Sequence, residues 1–272
     1  SDLILGTSGS GKSFAVKREM LNVLLRDSQA NVLVIDPENE YGGFCRIMGG
    51  TVLKISSDSD CYINPMDMLE DYGLTEDDDS STTPMEIKKE KAIRKKTEYI
   101  MSIVERMISV NGSADSSTIT PQQRTLIDKC VQETYKEYLK HDFDPSYMPT
   151  LLDLQEVLNS KKSESEDAEK VAEGIEYYTT GSMNVFSHHT NININNRFVV
   201  FNVRDLGEQL KQVALIIVFD FIWNRMVENK FKGIRTYCYC DEIHVMFQSY
   251  YAAEQLKQLY KRGRKYGRAT RF

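Results

Sequence analysis

The 272-residue chain is 41% hydrophobic and carries 34 basic against 40 acidic side chains, a formal charge of −6. That much apolar material fills one large core or two ordinary ones and excludes a disordered or fibrous chain. The acidic balance excludes a protein that is basic all over, so any nucleic-acid contact has to come from a local patch. The longest apolar run, Val213 to Phe219, is cut by Asp220 and falls far short of the roughly 20 residues of a membrane-spanning helix. Five cysteines, odd in number and without a C-x-x-C pair, read as buried thiols of a reducing compartment. With no initiator Met and no secretory signal, a chain that opens on Leu3-Ile4-Leu5 reads as cut from a longer protein.

In chain order, Leu3 to Leu5, Val32 to Ile35 and Val52 to Ile55 are short, β-branched runs that predict buried strands. Between the first two, Phe14, Val16, Met20, Leu21, Leu24 and Leu25 recur at helical spacing and predict a helix over Ser13 to Arg26. Strand, helix and strand in that order imply a parallel sheet. Glu70 to Ser81 is mostly acidic or small and polar, and reads as a solvated linker. Three capping-box patterns follow, Thr83 to Glu86, Thr120 to Gln123 and Thr150 to Asp153, each ahead of apolar residues at helical spacing. Lys161 to Lys170 reads as an exposed loop leading into a further helix. Strand and helix then alternate again, as Phe198 to Val203, Glu208 to Asn229 and Thr236 to Cys240. The expectation is an α/β domain with a mainly parallel sheet over residues 1–70 and 196–272, split by an all-α insertion over 71–195.

Gly6-Thr7-Ser8-Gly9-Ser10-Gly11-Lys12-Ser13 fits the phosphate-binding pattern G-x-x-x-x-G-K-S/T and sits between a predicted strand and a predicted helix. The glycines let successive N–H groups curl around a phosphate, Lys12 reaches its β and γ oxygens, and Ser13 ligates Mg²⁺. A chance match of the four fixed positions is expected in only about one chain in a hundred of this length. The loop and the residue after it, Gly6 to Phe14, are therefore the candidate ATP contacts. Thr236 to Glu242 is a β-prone run ending in two acids. Alone such a pair is more often a solvated turn, but beside a phosphate loop Asp241 suits the Mg²⁺ shell and Glu242 suits a base that polarises water. Asp36 to Tyr41 follows the second strand at the sheet edge where ligands of open α/β folds collect, and an ordinary acidic turn fits its spacing nearly as well. From Lys257 onward there are seven basic residues and no acidic one, which suits either a cationic helix end or an arginine finger reaching a neighbour's γ-phosphate. The four histidines share no ligand spacing with each other or with the cysteines, so no metal beyond Mg²⁺ is expected.

Six stretches taken together resemble one family: LILGTSGSGKSFAVKREM, VLVIDPENEY, YINPMD, RFVVFNVRDL, TYCYCDEIHVMF and LYKRGRKYG. They are similar to the type IV secretion ATPases of conjugation systems (TraC/TrbE type), within the FtsK/HerA branch of RecA-like P-loop ATPases. The resemblance runs in family order over nearly the whole chain. It implies an ATPase docked peripherally at the cytoplasmic face of the inner membrane, hexameric when active, with channel proteins of the secretion system as partners and DNA as one candidate partner. It also implies roles for Asp36 and Glu40 as the second-strand acidic motif, with Glu40 catalytic, for Asp241 and Glu242 as the Mg²⁺ and water pair, and for Arg264, with Arg262 close by, as the arginine motif. The family's Thr-Gln sensor has no counterpart in Gly267-Arg268-Ala269-Thr270-Arg271-Phe272, so no residue is assigned to it.

An ATP-hydrolysing secretion motor is the reading these motifs favour. A DNA-pumping translocase or coupling protein shares the phosphate loop, but it would be expected to show a basic pore stripe that this chain lacks away from its ends. A nucleotide-gated scaffold that assembles without turnover is the non-enzymatic alternative.

Overall fold

The computed structural model describes residues 11–56, 58–74, 78–111, 119–163, 165–192, 196–241 and 269–271. The strand expected at Leu3 to Leu5 and a helix expected at Ser249 to Lys261 lie outside them. The chain divides into two units, residues 1–61 with 192–272, and residues 62–191.

The first unit is α/β. Its strands are β1 (Asn31–Asp36), β2 (Thr51–Lys54), β3 (Phe198–Asn202), β4 (Thr236–Cys240) and β5 (Ala269–Arg271), and its helices are α1 (Lys12–Arg26), α2 (Gly42–Ile47) and a later 24-residue helix, Glu208–Phe231. The sheet order is β2-β3-β1-β4-β5, with every neighbouring pair parallel. β1 and β3 are buried along their whole length, as β-branched strands covered on both faces must be. Strand alternation sends Val32, Val34, Phe198, Val200 and Tyr239 to one face, where they pack on Val16, Met20 and Leu24 of α1. Burying each of those three α1 side chains contributes roughly 1.5–3 kcal/mol. Phe14 and Leu25 share the helical spacing but not this core. They are 73% and 71% exposed, because the 16/20/24 seam turns them to the outer side of the helix. The helix Glu208–Phe231 is apolar nearly all round and is buried continuously from Val213 to Asp220. It packs on the sheet, and Phe221 meets Phe201 with ring centroids 5.7 Å apart. The end of α1 is capped from a distance: the Arg197 guanidinium donates to the carbonyls of Leu24 and Asp27, both at 2.9 Å.

The second unit is helical. It comprises α3 (Met85–Asn111), α4 (Pro121–Thr134), α5 (Lys136–Lys140), α6 (Leu151–Ser160) and α7 (Glu166–Thr179), which makes the Glu208–Phe231 helix α8. Helices α3, α4, α6 and α7 pack together over Ile100, Ile103, Val104, Ile127, Val131, Leu154, Leu158, Val171 and Ile175. The Thr120 capping box forms in full, with Gln123 N–H donating to the Thr120 hydroxyl at 3.2 Å and Thr120 N–H to the Gln123 side chain at 2.9 Å. At Thr150, the Asp153 carboxylate accepts from both the backbone N–H and the hydroxyl. The Thr83 hydroxyl instead donates to the Asp79 carbonyl, so this pattern marks the approach to α3 through a turn. Helix α7 begins at Glu166, inside the stretch read as a loop to Lys170; three acids in its first turn favour that earlier start.

The acidic stretch is not a free linker. Glu70 and Asp71 pair with the buried Lys88, and Asp78 pairs with Lys91, which straps the described part of the stretch onto the start of α3. Just before it, the Tyr135 and Tyr138 hydroxyls donate to the carbonyls of Met66 and Met68, so irregular chain from Tyr62 onward belongs to the helical unit. The two ends of this unit meet: Tyr62 N–H donates to Asn191 Oδ1 at 2.9 Å and Asn191 N–H to the Tyr62 carbonyl at 3.4 Å. A short Gly/Ser linker replacing Tyr62–Asn191 should therefore close without strain and leave a protein that binds ATP in calorimetry. Cutting at Thr83 instead would leave Ile63, Met66, Met68 and Tyr72, all buried in this unit, without their cover, and should give an aggregating product.

Candidate nucleotide site

Helix α1 starts on Gly11, whose φ of +84° lies in the left-handed region. A Cβ there would meet nothing within 4 Å, so backbone conformation and not space is what calls for glycine. The first N–H groups of a helix have no intrahelical acceptors, which makes this start an anion-binding end. Of the loop, only Gly11, Lys12 and Ser13 fall among the described residues; Gly6, Thr7, Ser8, Gly9 and Ser10 lie outside them. Phe14 follows, with its ring facing outward.

Parallel pairing sets Ile35 opposite Cys240, and Asp241 N–H continues the ladder by donating to the Ile35 carbonyl at 3.2 Å. The carboxylates of Asp36 and Asp241 thus stand level at the C-terminal ends of adjacent strands. Lys12 Nζ lies 3.4 Å from Asp241 Oδ1, and the Ser13 hydroxyl donates to the Glu40 carboxylate. Four expected site residues, Lys12, Ser13, Glu40 and Asp241, are therefore brought together from three separate segments. Glu242 and Arg264 lie outside the described residues.

Asp36 does something the acidic motif did not announce. It is 0% exposed, and its two oxygens accept the backbone N–H groups of Glu40 and Tyr41, each at 2.9 Å. Burial pushes its carboxyl above the ordinary carboxylate range against the pull of those two bonds, and the nearby charges of Asp241 and Glu40 push the same way. Its oxygens hold the turn that presents Glu40, with Asn39 at a left-handed φ of +60°. Tyr41, which the sequence did not mark, is buried beside it. Lys17 Nζ stands 5.4 Å from its ring centroid, and burial, with three carboxylates nearby, raises the phenol's pKa. Asp36→Ala would strand one buried and one half-buried N–H group and should lower unfolding free energy by about 1–3 kcal/mol, read from the midpoint of a urea titration.

The donors at this site, a hydroxyl and two carboxylates, are hard oxygens that suit Mg²⁺. Among the described residues no three or more His, Cys, Asp or Glu side chains are grouped to hold a metal. Mg²⁺ commonly takes one or two protein oxygens and completes its shell with phosphate and water. Ser13 and Asp241 are the residues that would hold it, and a bound Mg²⁺ would neutralise charge on the phosphates.

The site thus combines a helix that opens on Gly11-Lys12-Ser13, a lysine paired across to a strand-end aspartate and a parallel sheet. The family described as TraG P-loop domain matches residues 1–271. The chain belongs to the TraG P-loop domain family. No curated protein matches it in sequence. Among solved structures, VirB4 of Thermoanaerobacter pseudethanolicus is similar with a TM-score of 0.76 and 21% identity, over 99% of this chain and 93% of that one. At that identity the likeness is one of fold. In this TraG P-loop domain, no helix among the described residues is long and apolar enough to cross a membrane.

Proposed function

We propose that this TraG P-loop domain is an ATP-hydrolysing, Mg²⁺-dependent motor of a type IV secretion or conjugation system, energising channel assembly or substrate transfer. The observation that carries the reading is the convergence of Lys12 and Ser13 on Asp241 and Glu40 at the C-terminal edge of the sheet. Its support comes from family membership, from the sequence resemblance to conjugative ATPases and from the fold shared with VirB4. Lys12 binds the phosphates, Ser13 and Asp241 hold Mg²⁺, and the backbone of Gly6 to Phe14 wraps the nucleotide. Glu242 takes the proton of the attacking water, while Glu40 orients Ser13. Arg264 completes the site of a neighbour in a homo-hexamer at the cytoplasmic face of the membrane, where channel proteins are the partners.

The test is steady-state phosphate release by the full-length protein with and without single-stranded DNA. DNA-independent turnover supports the secretion motor, turnover that requires DNA indicates a translocase, and ATP binding without turnover indicates a scaffold. Within that assay, Glu242→Gln should keep ATP affinity and lose about 100-fold in rate, because the amide is nearly isosteric but a poor base. Persistent turnover, with inactive Glu40→Gln, would transfer the base role to Glu40.

A further inference from the structure

Polar contacts join α1 to β4 and to the residue that follows it, and the proposed chemistry uses the one made by Lys12. Lys12 meets Asp241 at 3.4 Å, and Tyr239 Oη donates to Glu19 Oε1 at 3.2 Å. Lys12 and Glu19 are seven residues apart on one side of the helix, about 10 Å along its axis. Tyr239 and Asp241 are two residues apart and share one face of the strand. Between the two contacts lies Val16, the first residue of an apolar seam that continues past Glu19 to Met20 and Leu24. Tyr239 is 2% exposed, and Glu19 is half-buried, with burial raising its carboxyl pKa and the phenol bond opposing that rise.

We propose that Glu19 and Tyr239 are a positioning pair that keeps α1 in register with β4 when Lys12 leaves Asp241 for a phosphate. The proposal rests on the nucleotide reading above. A phosphate at the start of α1 competes with Asp241 for Lys12, which cannot serve both fully. Glu19 sits two turns further on, beyond the reach of that phosphate, so its contact survives binding. The apolar seam resists separation but is non-directional, and it sets the position of the helix along the strand only weakly. A hydrogen bond from a phenol to a carboxylate is directional and charge-assisted, and supplies the missing constraint. Any slide of α1 along β4 would shift Lys12 and Ser13 against Asp241, and small misplacements of reacting groups are costly in rate. Glu19 and Tyr239 touch no reacting atom; they act through Lys12, Ser13 and Asp241.

Two measurements on the full-length protein test this. In the first, Tyr239→Phe should lower kcat about tenfold while KM for ATP changes less than twofold, since loss of alignment is felt in the transition state. Glu19→Gln keeps an acceptor for the phenol and should stay within about twofold of the parent, whereas Glu19→Ala should match Tyr239→Phe. Unchanged kcat in Tyr239→Phe, or parallel loss of affinity and rate, would overturn the proposal, as would Glu19→Gln falling as far as Glu19→Ala. The second measurement needs no turnover: hydrogen exchange of the α1 amides. Lys12→Ala alone should leave α1 protected, Tyr239→Phe alone should loosen it slightly, and the two together should speed exchange about tenfold or more. Merely additive effects would overturn the pair even in an active enzyme. A cooperative loss of protection in a protein without turnover would uphold it while the motor reading fails.

Discussion

Lys12→Ala should bring nucleotide-dependent phosphate release down to the assay background. Lys12 is the described cation aimed into the site; Lys17, one turn on, stands over the Tyr41 ring instead. Its ammonium is only partly exposed and already held by Asp241, so it is pre-positioned at the start of α1, where a phosphate's charge has to be offset. Alanine removes that charge and leaves Asp241 facing the phosphate, an added repulsion. The variant should fold, because Lys12 lies on the rim of the core and the 16/20/24 seam is intact. Loss of ATP binding in calorimetry, with an unchanged urea midpoint, is the expected pair of results. Unchanged affinity and turnover would remove the site from α1.

Arg264→Ala should cost on the order of 10³-fold in rate with little loss of ground-state ATP affinity, the signature of an arginine that acts when the γ-phosphate is transferred. The resemblance places its counterpart at a subunit boundary, so the arginine is expected to act on ATP bound next door. Mixing Arg264→Ala subunits with Lys12→Ala subunits tests this directly. Each boundary that joins an intact pocket to an intact finger should recover hydrolysis that neither variant shows alone. Absence of recovery where mixed oligomers are shown to form would confine Arg264 to its own subunit, or to the role of a cationic helix end.

The elements whose signals are local were legible in advance. Thr236 to Cys240 forms β4 as read, Val32 to Ile35 forms β1 with one residue added at each end, and the Thr120 box starts α4. In each case neighbours two to four positions apart carry the information, through strand alternation, helical periodicity or a cap bonding three residues on. The same locality made Lys12, Ser13 and Asp241 candidates, since a phosphate loop and a strand-end acid are short patterns.

What only the tertiary structure decided depends on which distant segments become neighbours. Phe14 and Leu25 satisfy helical spacing, but the sheet selects the Val16, Met20 and Leu24 seam and leaves them outside. The helical unit begins at Tyr62, before any helical pattern, because carbonyls of irregular chain are met by hydroxyls about 70 positions away, from Tyr135 and Tyr138. Asp36 reads as one acid in an acidic turn, yet the fold buries it and turns both its oxygens to backbone N–H groups. Tyr239 reads as a β-prone aromatic, and its bond to Glu19 spans 220 positions. Sequence spacing alone determined what each segment is; the parallel register of β1 with β4, and the packing of α1 across them, determined which of its polar atoms would meet.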